Sequence, residues 1–274
     1  MSNPVLNERV MKDAPTTWAP PEPTNQHFPP VNDGPITPLS GSPKVMTVNG
    51  TISATAVLFV LLLVSATVGW MQTETVEVDG QEFVSGIPAL AWVGMIVGVG
   101  LTFLLMFKPH LAKFVAPVYA IAEGFFIGAI SKAYESWYDG IVVQAIGATV
   151  AVFMVMLVLY RTNIIKVTNR FRKIVVTATI GVMLFYGVTF IISLFAGADS
   201  ISFLSSPSLL GIAFSVFVAG LAAMNLALDF DFIERGAQQG LDKNFEWYAA
   251  FGLLVTLIWL YLELLRLLAK LRER

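Results

Sequence analysis

The sequence has no cysteine, which excludes disulfide bonds and thiolate metal sites. Its only histidines are His27 and His110, too few for a histidine-rich metal cluster. Charged residues make up 13% of the chain, against about 25% in soluble domains, and no basic block predicts a nucleic-acid partner. The zinc-protease pattern HExxH, the GxSxG elbow of serine hydrolases and phosphate-binding loops are missing as well. We therefore expect a protein that is not an enzyme and that uses no cofactor.

Apolar sequence is what the chain has in excess, with 56% hydrophobic residues and a mean hydropathy of +0.72. Seven apolar segments recur, each of about 20 residues, which is long enough to cross about 30 Å of hydrocarbon as a helix. The predicted segments are Thr51–Met71, Ile87–Phe107, Leu111–Ser131, Gly140–Tyr160, Ile174–Ala196, Pro207–Asp229 and Phe245–Leu268. The sequence thus predicts an all-α membrane protein, a seven-transmembrane-helix bundle over residues 51–274 that contacts the lipid bilayer. Residues 1–50 are rich in proline and polar side chains and predict a disordered N-terminal tail.

Lysine and arginine alternate between the connections. The first loop is acidic, and the second, fourth and sixth are basic, most strongly at residues 161–173. Basic loops are typically cytoplasmic, so the N-terminus is predicted to be cytoplasmic and the protein to lie in the cell membrane. Seven crossings then place the C-terminus outside, although it carries four basic residues: Arg266, Lys270, Arg272 and Arg274. Either this end is an exception to the rule, which we favour, or one segment does not fully cross.

Two aspartates end the sixth segment in LALDFDFIERG. Carboxylates at the ends of membrane segments are costly to place and predict a functional site, here for ion binding or gating. Asp229 and Asp231 are about 200° apart around a helix, so only one of them is expected to face such a site. Asp229 is the deeper and our first choice, and Asn225 lies one turn before it as a supporting residue. The alternative is a pair of helix-end charges in the headgroup zone.

Three further positions follow from the same logic. Glu246 opens the seventh segment at a depth we expect to be comparable to that of the aspartates, as a site residue or as a first-turn acid that favours the helix dipole. Glu123 lies mid-span in the third segment and is expected to face the bundle interior, where it contacts an ion or forms a structural hydrogen bond. Glu263 and Arg266 are spaced to form an ion pair on one helix.

The chain resembles the Bax inhibitor-1/YccA family, also called the transmembrane Bax inhibitor motif family. The resemblance rests on seven spans with short loops, the segment APVYAIAEGFFIGAIS, the ending LALDFDFIERG and the closing run LYLELLRLL. It extends over Pro43 to Lys270 and leaves the proline-rich tail outside. The resemblance implies that the last helix is central in the bundle. It also implies a pH-sensitive calcium leak, closed on the cytoplasmic side by two aspartates that share hydrogen bonds.

Asp229 matches the sixth-helix aspartate of the resemblance, but the seventh-helix position falls at about Thr256, which does not ionise. A surviving latch would then pair Asp229 or Asp231 with Glu246. Two functions follow as expectations. The first is a Ca²⁺ leak gated by protonation of these carboxylates, with Glu123 lining the path and no dedicated metal site. The second is a non-conducting regulator that binds a protein partner, a membrane protease or stress-response component, through its tail. A small-solute transporter is a third alternative, against which no internal repeat is visible.

Overall fold

The computed structural model describes residues 45–78, 81–196 and 206–274. In these ranges seven helices are long and apolar enough to cross a membrane, which confirms the predicted all-α class and the number of spans. Their bounds are α1 Val48–Gln72, α2 Ala89–Phe107, α3 Ala112–Trp137, α4 Ile141–Arg161, α5 Asn169–Ala196, α6 Leu209–Gln238 and α7 Phe245–Arg272. Residues 1–44 of the predicted tail lie outside the described residues. The last three residues of that predicted tail, 48–50, belong to α1.

Helix α6 differs most from its predicted bounds, because it continues nine residues past Asp229 to Gln238. It ends at Gly240, whose φ of +65° is in the left-handed region that favours glycine. Two closing bonds define a Schellman motif, since Leu241 N donates to the Gly236 carbonyl at 3.1 Å and Gly240 N to the Ala237 carbonyl at 3.2 Å. The polar sequence after Asp229 is therefore helix, and the α6–α7 turn is only residues 239–244.

The connection between α1 and α2 contains an antiparallel hairpin, β1 Thr75–Val78 and β2 Gln81–Val84. The sequence did not predict strands here. A two-stranded hairpin is marginally stable alone, and this one packs against α3.

Helix α7 is the central element, because it packs against α1, α3, α4 and α6. Apolar side chains on its different sides belong to two separate buried clusters, with Leu254 and Leu265 in one and Leu253 and Leu260 in the other. A helix buried on several sides is expected to be apolar around most of its circumference, as α7 is. The central position implied by the family resemblance is confirmed.

Glycines set the close contact between α1 and α3. A Cβ on Gly124 would overlap the Leu62 carbonyl oxygen, and a Cβ on Gly128 would overlap that of Ala66. Between α2 and α3, a Cβ on Gly94 would overlap the Ala122 carbonyl oxygen, and a Cβ on Gly98 would overlap the Glu123 carboxyl. Both small-xxx-small patterns thus pack helices within the bundle.

The residues just before α1 are joined to the α6–α7 turn. Met46 N donates to the Leu241 carbonyl at 2.7 Å, and Val45 forms a bridge with Asp242. Met46 is 1% exposed. The start of α1 and the α6–α7 turn therefore lie at the same end of the bundle.

Candidate functional site

Asp229 lies about two and a half turns inside the end of α6 and faces α7. A Cβ built on Gly252 would lie 3.8 Å from Asp229 Oδ1, and the Thr256 hydroxyl lies beside the same carboxyl. That hydroxyl, however, donates to the Gly252 carbonyl at 3.1 Å. The structure thus places Asp229 opposite Thr256, the position to which the family resemblance assigns the second aspartate.

Three buried side-chain atoms in the described part of the chain have no hydrogen-bond partner: Asp229 Oδ2, Trp259 Nε1 and Glu263 Oε1. Thr256, Trp259 and Glu263 follow one another on α7 at intervals of three and four residues, so they share one face. Trp259 packs against the buried cluster of α5 and α6 that includes Val218. Buried polar atoms are normally satisfied by protein or by ordered water. The seam between α6 and α7 therefore contains two unpaired carboxylate oxygens, which accept hydrogen bonds or bind a cation, and one unpaired indole N–H, which only donates.

Asp231 has a different role, because it points away from this seam. Its carboxylate is 5% exposed and forms two ion pairs, with Arg172 of α5 at 2.6 Å and with Arg235 one turn on at 2.8 Å. Arg235 also donates to the Val167 carbonyl at 3.2 Å. Asp231 thus fastens the start of α5 to the end of α6, and the expectation that only one aspartate faces the site agrees with this geometry.

Glu246 is 4% exposed and lies at the beginning of α1. Its Oε1 accepts hydrogen bonds from Thr47 N at 3.0 Å and from Thr47 Oγ1 at 2.9 Å. Thr47 Oγ1 in turn accepts from Gly50 N at 2.9 Å as the N-cap of α1. A carboxylate is favourable at a helix N-terminus, and Glu246 lies at two of them, in the first turn of its own helix α7 and at the N-cap of α1.

The hydrogen bonds and ion pairs of the described residues join Glu246 to Thr47 and Asp231 to Arg172 and Arg235, so the expected pairing of Glu246 with Asp229 or Asp231 is not formed in this geometry. Glu246 precedes Gly252, the residue against Asp229, by six positions, which is about 9 Å along α7. The expectation of comparable depth failed because α6 continues well past the aspartates before it turns.

Glu123 and Asn225 also face other partners than expected. The Glu123 carboxyl packs where a Cβ on Gly98 would be, so it lies between α3 and α2. The Asn225 amide donates to Thr179 Oγ1 of α5 at 2.8 Å and to the Leu221 carbonyl at 2.9 Å. Asn225 therefore links α6 to α5, and its hydrogen bonds do not orient Asp229.

A second polar group lies toward the C-terminal end of α7. Glu263 is 1% exposed and pairs with Arg266 at 2.9 Å, as the helix spacing predicted. Tyr186 of α5 donates to Glu263 at 3.1 Å and accepts from Arg266 at 2.9 Å. Lys270, 2% exposed, donates to the Gly211 carbonyl and to Ser215 of α6. Only the ion pair was predictable from the sequence, because Tyr186 and Lys270 carry no local signal of their long-range contacts.

The arrangement has one carboxylate, Asp229, that is buried against the central helix without a charged partner. In the described residues no group of three or more histidine, aspartate or glutamate side chains is placed to hold a metal ion. A single carboxylate with nearby hydroxyl and carbonyl oxygens is suited to proton exchange or to a passing cation.

Comparison with known protein families gives a match that covers almost the whole chain. A sequence model of the family described as Bax inhibitor 1 like matches residues 3–273. The match is wider than the expected Pro43 to Lys270 and includes the proline-rich segment. A search of curated proteins found no match.

Proposed function

The chain belongs to the Bax inhibitor 1 like family and is an integral membrane protein in contact with the lipid bilayer, and from this premise we propose that it is a pH-sensitive cation leak. The cation is Ca²⁺, and protonation of Asp229 controls its passage. The protein is not an enzyme in this proposal, and it lies in the cell membrane with its N-terminus and the α6–α7 turn on the cytoplasmic side.

The observation that carries this proposal is the Asp229 carboxyl, buried against Gly252 and Thr256 with Oδ2 unpartnered. Burying a carboxylate without compensating hydrogen bonds costs free energy, so a change in its charge changes how well α6 packs on α7. Because α7 is the central helix, a small displacement there affects the contacts of α1, α3 and α4. Two packing states of this seam, selected by one proton, would constitute the gate.

The route follows from the same face of α7. Thr256 and Glu263 extend the line of oxygen atoms by seven residues, about 10 Å, from the level of Asp229, whereas the Trp259 N–H between them can only donate. Oxygen ligands suit Ca²⁺, and too few of them to hold the ion favours passage over storage. Glu123 lies at the interface of α2 and α3, so the path is assigned to the α6–α7 seam instead.

Flux measurements test this proposal. The purified chain in liposomes loaded with a Ca²⁺ indicator should show an influx that depends on pH, and Asp229→Asn should abolish that dependence. Asp139→Asn is the matched control, because Asp139 is exposed at the other end of the bundle. The proposal fails if the wild-type chain conducts no Ca²⁺, or if Asp229→Asn and Asp139→Asn have the same pH profile as the wild-type chain.

A non-conducting regulator is the second candidate, and one observation favours it. Asp231 and Glu246 are both engaged in structural contacts, and Thr256 stands opposite Asp229, so the pair of carboxylates expected of a latch is not formed. Removal of residues 1–44, which precede the ordered contact of Met46, separates the two candidates. A leak keeps its flux without these residues, whereas a regulator that docks through its tail loses a co-purifying protein partner.

A further inference from the structure

A crevice of about 590 Å³ opens between α1 and α4 on the side of α7 away from Asp229. Phe59, Leu63 and Trp70 of α1 form one wall, Ile146 and Val150 of α4 the other, and α3 and α7 the floor. Its volume is within the range of about 300–1,000 Å³ that is typical of sites for small ligands. The floor includes Tyr261, so the crevice reaches the central helix.

The hydroxyl groups on the wall are already engaged. Ser131 and Tyr261 are hydrogen-bonded to each other at 2.6 Å. Thr149 donates to the Ala145 carbonyl at 2.7 Å, and Thr67 donates to the Leu63 carbonyl at 2.9 Å. These bonds use the hydroxyl hydrogens of Thr67 and Thr149 and one hydrogen of the Ser131–Tyr261 pair, so the crevice, whose other lining residues are mostly apolar, offers a polar ligand few free donors. The crevice therefore selects an apolar occupant.

The rim of the crevice is continuous with the surface that faces lipid. Phe59 is 38%, Leu63 51%, Ile146 48% and Val150 54% exposed, and all four lie within membrane-spanning helices. Trp70 lies at the end of the crevice nearest the end of α1, with the Lys132 ammonium 5.5 Å from its ring centroid. Tryptophan and lysine are typical of the membrane interface, so this end marks the headgroup level.

We propose that the crevice is a binding site for one acyl chain of a bilayer lipid, whose headgroup lies at the Trp70 end. The chain enters from the lipid-facing rim and extends inward to Leu257, Ile258 and Tyr261 of α7. Leu257, Ile258 and Tyr261 lie about 100°, 200° and 140° around α7 from Thr256, so the acyl chain supports α7 on the side away from Asp229. The inference does not depend on whether the protein conducts an ion.

Photolabelling tests the site. The full chain is reconstituted in vesicles of phosphatidylcholine with a diazirine in the acyl chain, irradiated and mapped by peptide mass spectrometry. A chain seated in the crevice gives adducts on Leu257, Ile258 or Tyr261. Adducts confined to the exposed residues of α1 and α4 would show annular lipid only and would overturn the proposal. The wild-type map alone decides between these outcomes.

Two variants of α4 sharpen the result. Ile146→Trp fills the crevice and should lose the α7 adducts, whereas Val143→Trp, at a position 73% exposed outside the crevice, should keep them. Both variants are compared by thermal unfolding, so that a misfolded chain is recognised. Persistence of the α7 adducts in a folded Ile146→Trp variant contradicts an acyl chain in this crevice.

Discussion

Replacement of Glu246 tests whether this carboxylate is a structural cap or part of a gate. In the structure, Glu246 accepts hydrogen bonds from the backbone N–H and the hydroxyl of Thr47. It forms no hydrogen bond with Asp229 or Asp231. We therefore expect Glu246→Gln and Glu246→Ala to weaken the attachment of α1 to α7 and to leave the pH dependence of any flux unchanged.

The magnitude follows from the two hydrogen bonds. Each bond to a charged group contributes about 1.5–3 kcal/mol, and the two are not additive because they share one oxygen. Glutamine keeps an acceptor oxygen and loses the charge, so its expected cost is about 1–2 kcal/mol. Alanine removes the acceptor of both Thr47 hydrogens, which water can partly replace because Thr47 is exposed, and removes side-chain volume at a buried position, so its expected cost is about 2–3 kcal/mol.

Unfolding in mixed micelles of increasing SDS fraction, followed by circular dichroism, measures both costs. Glu273→Gln is the matched control, since Glu273 is exposed at the C-terminal end of α7 and should change stability by less than about 0.5 kcal/mol. If Glu246→Gln is as stable as the control and abolishes pH-dependent flux, the cap assignment is wrong and Glu246 belongs to the gate.

Three further perturbations follow from the same structure. Asp231→Asn should cost about 1–2 kcal/mol in the SDS titration, since it breaks two partly exposed ion pairs, and a loss that is insensitive to salt would contradict this. Gly128→Ala should destabilise the protein by about 1–3 kcal/mol, because the added Cβ overlaps the backbone of Ala66. Gly147→Ala is the control, since a Cβ there meets no atom within 4 Å and should be neutral or stabilising. Equal effects of the two substitutions would refute the close contact of α1 and α3. Because the chain has no cysteine, Asp242→Cys and Arg274→Cys each introduce a single thiol. A membrane-impermeant maleimide should label Asp242→Cys from the cytoplasmic side and Arg274→Cys from the other side. Labelling of both variants from the same side of the membrane would contradict seven crossings.

The seven spans and the ion pair of Glu263 with Arg266 were predictable because both depend on local sequence. Helix length and hydropathy are decided within about 20 residues, and an i, i+3 pair within one turn. The Thr47 partner of Glu246 and the Arg172 partner of Asp231 come instead from the N-cap of α1 and from α5, 199 and 59 positions away along the chain. Nothing in the local pattern of either acid indicates which neighbouring helix will supply them.

The length of α6 sets the depth of Asp229 relative to α7, and hydropathy alone did not predict that length. The charges after Asp229 suggested a turn, yet the helix continues to Gln238, with Asp231 and Arg235 as a supporting i, i+4 pair and Gly240 in the left-handed conformation that ends it. Both signals were present in the sequence. Had the helix end been placed at Gly240, Asp229 would have been assigned to the depth of Thr256 rather than to that of Glu246.

Packing accounts for part of the positive charge at the C-terminus. Arg266 is paired with Glu263, and the buried Lys270 donates to the Gly211 carbonyl and to Ser215 of α6. Lys270 and Arg272 also lie in the last turn of α7, where cations stabilise the negative end of the helix dipole. Arg272, which donates to the Asp139 carbonyl at 2.7 Å, and Arg274 are exposed. Two of the four basic residues are therefore used inside the bundle, and only Arg272 and Arg274 remain as surface charges that count against an outside C-terminus.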